Sequence, residues 1–350
     1  MKKYQICEVT NNKIYHAASK APSDIEKIAE ELDFEKLYII RNPDSNDLIS
    51  KIRRQKNYFY NWKKVYDKIE KGSILLLQHP FRMRQMGREF YIDKLKRKKS
   101  VKIISLIHDV ESLRKTLFND YYKDEFNYML RVADIFIVHN DSMRNYFIQR
   151  GVSQDKIVTL DIFDYLRNDY SSMLSKFDKS VIIAGNLDIK KAAYLNNLNK
   201  INVFFNLYGL NYTLHSYKNC KYHGSLPTSE IPSVLNKGFG LIWDGIDIKS
   251  CVGPTGNYLR YNNPHKLSLY LASNLPVIIW NEAAEAKFVK KYNLGITISS
   301  LLELPEIFDK LTLDEYNTFA HNVLKIAPQI VSGEYTLRAL NEAIKIIEED

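Results

Sequence analysis

At 350 residues, with 45% hydrophobic and 26% charged side chains, the chain can fill globular cores and is long for one domain. No apolar run approaches the ~20 residues that cross a bilayer, and Cys7, Cys220 and Cys251 are too scattered for a disulfide framework or a zinc site, which fits a reducing cytosol. The net charge of +9 lies entirely in residues 1–163, which hold 31 Lys+Arg against 22 Asp+Glu, while residues 164–350 hold 19 of each.

The opening MKKYQICEVTNN is not expected to be a secretory signal, because Glu8 interrupts its only apolar stretch. Strands are expected at 4–9, 37–40, 73–78, 101–108, 134–140 and 156–163. Helices are expected between them: one starting at Ser23 with Glu26 in a capping-box pattern, then 47–70, 84–98 and 141–150. Apolar strands separated by helices predict a parallel sheet covered on both faces. Within 51–102 stand 17 basic and 4 acidic residues, a net +13, including RRQK (53–56), FRMRQMGR (81–88) and KLKRKK (94–99). Such a segment faces an acidic partner or is a set of solvated helix faces. No helix-turn-helix, zinc-finger or RNP pattern accompanies it, so a membrane surface ranks above nucleic acid.

The polar stretch DYLRNDYSSMLSKFDKS (164–180) reads as a linker. The alternation then restarts, with strands expected at 181–187, 201–209, 239–245, 275–280 and 294–299. Helices are expected near 190–197, 228–236, 264–273, 282–292 and 313–325, and a last amphipathic one over 335–348. The fold class is therefore α/β: a first domain over 1–163, a linker over 164–180, a second domain over 181–334 and a closing helix over 335–350. Ligands of doubly wound sheets bind beyond the carboxyl ends of the strands.

Those ends supply the candidate residues. In LIHDVESLR, His108 and Asp109 leave a strand; a carboxylate there can take a proton from an acceptor hydroxyl, or cap the next helix. His79 with Arg82, and His139, stand at two further ends. In the second half AGNLDIKK offers Gly185, Asn186 and Lys190 or Lys191, and the later ends carry Tyr208-Gly209 and Asp244-Gly245. In YNNPHKLSLYLA, Asn263 suits an N-cap and Pro264 a first helical position, so the helix N-terminus together with Lys266 suits a phosphate. No G-x-G-x-x-G, no phosphate-loop motif and no G-x-S-x-G elbow occurs, and DGID (244–247) misses a metal-holding D-x-D by one residue.

The order AGNL, LYG, YHG, FGLIWDG, GPTGNYLRYNNPHKLSLYLASNLPVIIW and AAEAKFV…LGITISSL resembles a bacterial glycosyltransferase family of the GT-B fold. That family includes the second glucosyltransferase of serine-rich-repeat adhesin glycosylation and capsule or exopolysaccharide galactofuranosyltransferases. The resemblance is specific over about 181–300 and looser before it. It implies two Rossmann-like domains facing a cleft and transfer of a hexose from a UDP-sugar to a glycan hydroxyl, with no cofactor and no metal. The acceptor would be lipid- or protein-linked and bound by the first domain. The resemblance further implies Gly185, Asn186 and Lys190 beside the diphosphate, and Tyr208, Asp244 and Gly245 beside the nucleoside. It puts Tyr258, Tyr261, Asn262, Asn263 and Lys266 on ribose and phosphates, and Asp109 with His108 at the catalytic centre. Many GT-B enzymes place a glutamate near this helix, where the chain has Asn262 and Asn263. A cytoplasmic protein, peripheral to the inner membrane face and compatible with a homo-oligomer, is the expected setting. The alternative from another class is a catalytically silent subunit of this fold that stabilises another transferase.

Overall fold

The structure is a computed structural model, and it describes residues 1–10, 17–45, 47–214 and 217–349. In the first half the Ile-, Leu- and Val-rich runs become β1 (Lys3–Thr10), β2 (Phe34–Arg41), β3 (Ile74–His79), β4 (Lys102–Ile107), β5 (Ile135–Val138) and β6 (Ile157–Thr159). They form one parallel sheet in the order β2-β1-β3-β4-β5-β6. Its two faces bury separate apolar layers, one around Tyr58, Trp62 and Leu95, the other around Ile25, Phe34 and Ile104. Burial on both faces is why these strands read as continuous apolar runs.

The second half repeats the plan with β7 (Lys176–Asn186), β8 (Phe204–Leu210), β9 (Cys220–Tyr222), β10 (Lys237–Ile242), β11 (Val277–Trp280) and β12 (Gly295–Ile298). Their order is β12-β11-β10-β7-β8-β9, again all parallel, around one large core that includes Trp243, Trp280 and Tyr270. The expected α/β class, two doubly wound sheets in tandem, is what the chain adopts.

Several elements differ from the reading of the sequence. The first helix is already under way at Ala17 and runs to Glu31, so Ser23 lies inside it rather than at its start. β6 stops at Thr159, because Asp161 takes a left-handed backbone (φ +68°) and turns the chain toward the second domain. β7 begins at Lys176, inside the stretch read as linker. The helix Asp120–Val132 and the three-residue edge strand β9 were not expected. In the first, Tyr122, Phe126 and Met129 are buried at helical spacing, a signal the sequence carries. β9 has only Cys220 buried and offers no periodic signal.

The helix Leu313–Ser332 ends at Gly333, whose φ of +88° and contact with Ile28 leave no room for a side chain. The next helix, Glu334–Glu349, crosses back and buries Ala339, Leu340, Ala343 and Ile347 against the first sheet. The carboxylate of Asp164 accepts from the Tyr335 and Thr336 amides at its start. No helix among the described residues is long and apolar enough to cross a membrane.

Candidate active site

The carboxyl edges of the two sheets face each other, and two polar clusters span the seam. The first joins the domains. His139, at the end of β5, donates from Nε2 to the Ile107 carbonyl at 3.0 Å and accepts the Asn263 amide at Nδ1 at 2.8 Å, an arrangement that fixes one neutral tautomer. Desolvation lowers its pKa to about 4. The Asn263 side chain donates to the carbonyls of His139 (2.9 Å) and Asp161 (3.0 Å), and its oxygen accepts from Asn140 at 2.7 Å. Asn140 also donates to the Tyr261 carbonyl at 3.1 Å. Nearby, the hydroxyl of buried Tyr258 accepts the Val110 amide at 3.0 Å. Buried Glu285 borders this cluster, and desolvation raises its pKa well above the ordinary carboxyl range.

The second cluster is charged. Asp109, after β4, receives Arg82 at 2.9 Å and Arg114 at 2.7 Å, both on Oδ2. Its Oδ1 has no hydrogen bond among the described residues. The same arginines flank buried Glu111, Arg82 at 3.5 Å and Arg114 at 3.3 Å. Across the seam, Lys266 in the first turn of the helix His265–Ala272 donates to Asp244 at 2.9 Å and to the Trp243 carbonyl at 3.1 Å. Half-buried Lys191 completes the group. Burial, and then the charge of Arg114, lower its pKa, opposed by Asp244 and Asp109. Four cations here meet three carboxylates, and Asp188 of the lysine turn adds a fourth carboxylate acting on Lys191.

The loop between these groups is tightly built. Gly245 has φ +105°, and a side chain there would meet the Val252 carbonyl at 2.2 Å. Thr255 donates to the Lys191 carbonyl at 3.1 Å, so the segment Gly253–Tyr258 braces the lysine turn.

The expected residues separate accordingly. Asp109, Asp244, Gly245 and Lys266 come together at the seam. Lys190 is exposed on the outer side of the turn, while its neighbour Lys191 faces the charges. Gly185 borders open space, and exposed Asn186 accepts from Asn211 at 3.0 Å. Tyr208 stacks on His223 at 4.5 Å, with no contact to the charged cluster. Asn263 does not cap its helix: Pro264 occupies that position, and the Asn263 oxygen that would accept helix amides accepts from Asn140 of the first domain instead. Tyr258 is likewise consumed in the interdomain contact, and Tyr261 lies edge-on to Tyr146 at 6.3 Å. Asn262 keeps a buried carbonyl oxygen with no partner among the described residues.

The histidines at strand ends are held by protein contacts. His108 meets Gln78 at 2.6 Å, stacks on Phe163, and has its pKa lowered well below the ordinary range by burial and then by His139. His79 is buried beside Glu125, which also holds Arg88. Arg114 and Glu111 were not singled out from the sequence, although both stand in the same strand-to-helix stretch as Asp109.

The chain matches family models for the glucosyltransferase 3-like N-terminal domain over residues 3–162 and C-terminal domain over 181–343. It is 34% identical to the beta-1,6-galactofuranosyltransferase WbbI of Escherichia coli K12, over 79% of this chain and 80% of that protein. It is 26% identical to glucosyltransferase 3 of Streptococcus gordonii, over 93% of each. Among solved structures, Anabaena HepE in complex with UDP and glucose aligns over 99% of each chain with a TM-score of 0.61 at 12% identity, a likeness of fold. With both halves matched by the family's models and a charged seam between two doubly wound domains, the chain belongs to the glucosyltransferase 3-like family and is a glycosyltransferase of the GT-B fold.

Proposed function

We propose that the chain moves a hexosyl group, glucose or galactofuranose, from a UDP-sugar to a sugar hydroxyl of a lipid- or protein-linked glycan in cell-surface polysaccharide or glycoprotein assembly. The single observation that carries this reading is the gathering of four cationic side chains, Arg82, Arg114, Lys191 and Lys266, around Asp109, Glu111 and Asp244 at the facing sheet edges. A diphosphate entering there meets these lysine and arginine side chains. Lys266 and the amides at the start of its helix take the phosphates, with Lys191 and the Gly185-Asn186-Lys190 turn on the same side. The relatives' names supply the two candidate sugars, and the HepE complex supplies the UDP precedent.

The reaction is a single displacement with inversion. The acceptor oxygen bonds to the anomeric carbon as the bond to the UDP β-phosphate oxygen breaks, and the acceptor proton passes to Asp109 Oδ1. Charge developing on UDP is met by lysine and arginine side chains, so no metal is invoked. Half-buried His108 stays neutral and positions the Asp109 loop through Gln78. A silent-subunit role gains no support from this cluster, which keeps a carboxylate oxygen and cations open to the cleft.

Thermal unfolding in the presence of UDP, GDP, CDP, dTDP or NAD, with and without EDTA, tests the reading. UDP alone should stabilise, by about 2.7 kcal/mol at a hundredfold excess over Kd, and EDTA should leave the shift unchanged. If no nucleotide shifts the transition, the donor assignment is wrong.

A further inference from the structure

The helices Leu48–Lys68 and Arg88–Lys99 follow β2 and β3, so both begin at the carboxyl edge that carries Asp109. The starts of these helices and the residue before the second one's cap leave large apolar side chains in water. Leu48, Ile49, Ile52, Met86 and Phe90 are each between 49% and 74% exposed. They form one surface because Gln55 ties the two helix starts together. It donates to the Arg84 carbonyl at 2.9 Å and accepts the Met86 amide at 2.8 Å. Interleaved with them on the first helix are exposed Lys51, Arg53 and Lys56, with no ion pair among the described residues. The charged groups that are satisfied, such as Arg54 on the Pro43 carbonyl and Lys96 on Asp134, lie elsewhere on these helices.

We infer that this face docks on an anionic lipid bilayer and brings the cleft to a lipid-borne acceptor. A solvated helix face carries polar residues where this one carries Leu, Ile and Phe. A nucleic acid neutralises the cations and leaves the aliphatic side chains in water. A bilayer surface takes both, the apolar side chains entering the headgroup boundary and the cations meeting lipid phosphates. The position at the Asp109 edge sets the acceptor side of the cleft toward the membrane. This deepens the transferase reading and rests on it for the identity of the acceptor.

The test is co-sedimentation of the full chain with phosphatidylcholine vesicles, with and without phosphatidylglycerol. The chain should pellet with the anionic vesicles and stay in solution with the neutral ones. Two variants, Leu48→Ser/Ile49→Ser/Phe90→Ser and Lys51→Glu/Arg53→Glu, should each weaken vesicle binding about tenfold or more, by loss of apolar insertion and of lipid attraction respectively. Both should keep the wild-type thermal shift with UDP, which shows that they fold. Wild-type chain remaining in solution with anionic vesicles overturns the docking, as does undiminished binding by either variant. So does a wild-type dimer that the apolar variant converts to monomer, which would assign the face to a second copy, or salt-sensitive RNA binding in place of lipid binding. Vesicle binding without a UDP shift would instead count against the donor assignment and leave the docking face standing.

Discussion

The two polar clusters at the interdomain seam both stand at strand ends, and they differ in the charge they hold. Around Asn263 the donors of Asn140, Asn263 and His139 all end on protein acceptors, so the cluster joins two domains. Around Lys266 four cationic side chains and their carboxylates crowd together, Lys191 is held below its ordinary range, and Asp109 Oδ1 has no hydrogen bond among the described residues. Being polar and at a strand end does not separate scaffold from chemistry. Concentrated charge does, rather than unfilled hydrogen-bonding capacity, since buried Glu285 Oε2 and Asn262 Oδ1 beside the joining cluster also lack hydrogen bonds among the described residues.

The contrast breaks most directly at Asp109. Asp109→Asn should lower kcat about 10³-fold while leaving UDP affinity close to wild type, as expected for a lost general base. An equal loss of UDP binding would move Asp109 from proton transfer to donor binding. Lys266→Ala should cost about 10²-fold in kcat/KM and diminish the UDP thermal shift, measured with a sugar acceptor at fixed ionic strength. Unchanged affinity and turnover would remove Lys266 from the phosphate site.

The joining cluster should respond in stability before activity. Asn263→Ala strands His139 and Asn140 groups and should cost about 2 kcal/mol in denaturant unfolding, with a smaller change in UDP affinity than Lys266→Ala. Acid should attack the same place. The native pKa of His139 is lowered to about 4 from an ordinary 6.5, so between those values the unfolded chain binds a proton that the native state refuses. Stability contributed by neutral His139 is therefore complete above pH 6.5 and is lost as pH falls toward 4, at about 1.4 kcal/mol per pH unit for one proton. Asp164, raised to about 7 by burial, acts in the opposite direction, losing stability as pH rises. The measurement is thus the difference in pH dependence between wild type and His139→Gln, and parallel curves would refute the assignment. The smallest effect separates neighbours in one turn: Lys191→Ala should weaken UDP about tenfold, and exposed Lys190→Ala by no more than about twofold.

The architecture was legible because buried parallel strands leave continuous apolar runs, and ten of the eleven expected strands needed only their ends adjusted, while β6 shortened to three residues. β9 was invisible because an edge strand with one buried residue carries no pattern. The site was legible as a region, since doubly wound sheets put their ligands at the carboxyl ends. Its membership was not. Lys190 and Lys191 are equivalent in sequence, and only the turn geometry decides which one faces Arg114. Asn263 read as a helix cap because local rules see the helix and not the opposite domain, which captures its side chain. Arg114 and Glu111 lay in a stretch already quoted for Asp109, and their pairing emerges only when the strand end folds back on itself.

The helix Glu334–Glu349 carries a consequence for how the chain is made. Ala339, Leu340, Ala343 and Ile347 close one apolar layer of the first sheet, yet they are synthesised after the whole second domain. A ribosome that has released residues 1–163 has exposed a sheet with one face still partly uncovered around Ile25, Ile104 and Ile137. That apolar layer of the first sheet is therefore completed only once residues 334–349 have been made.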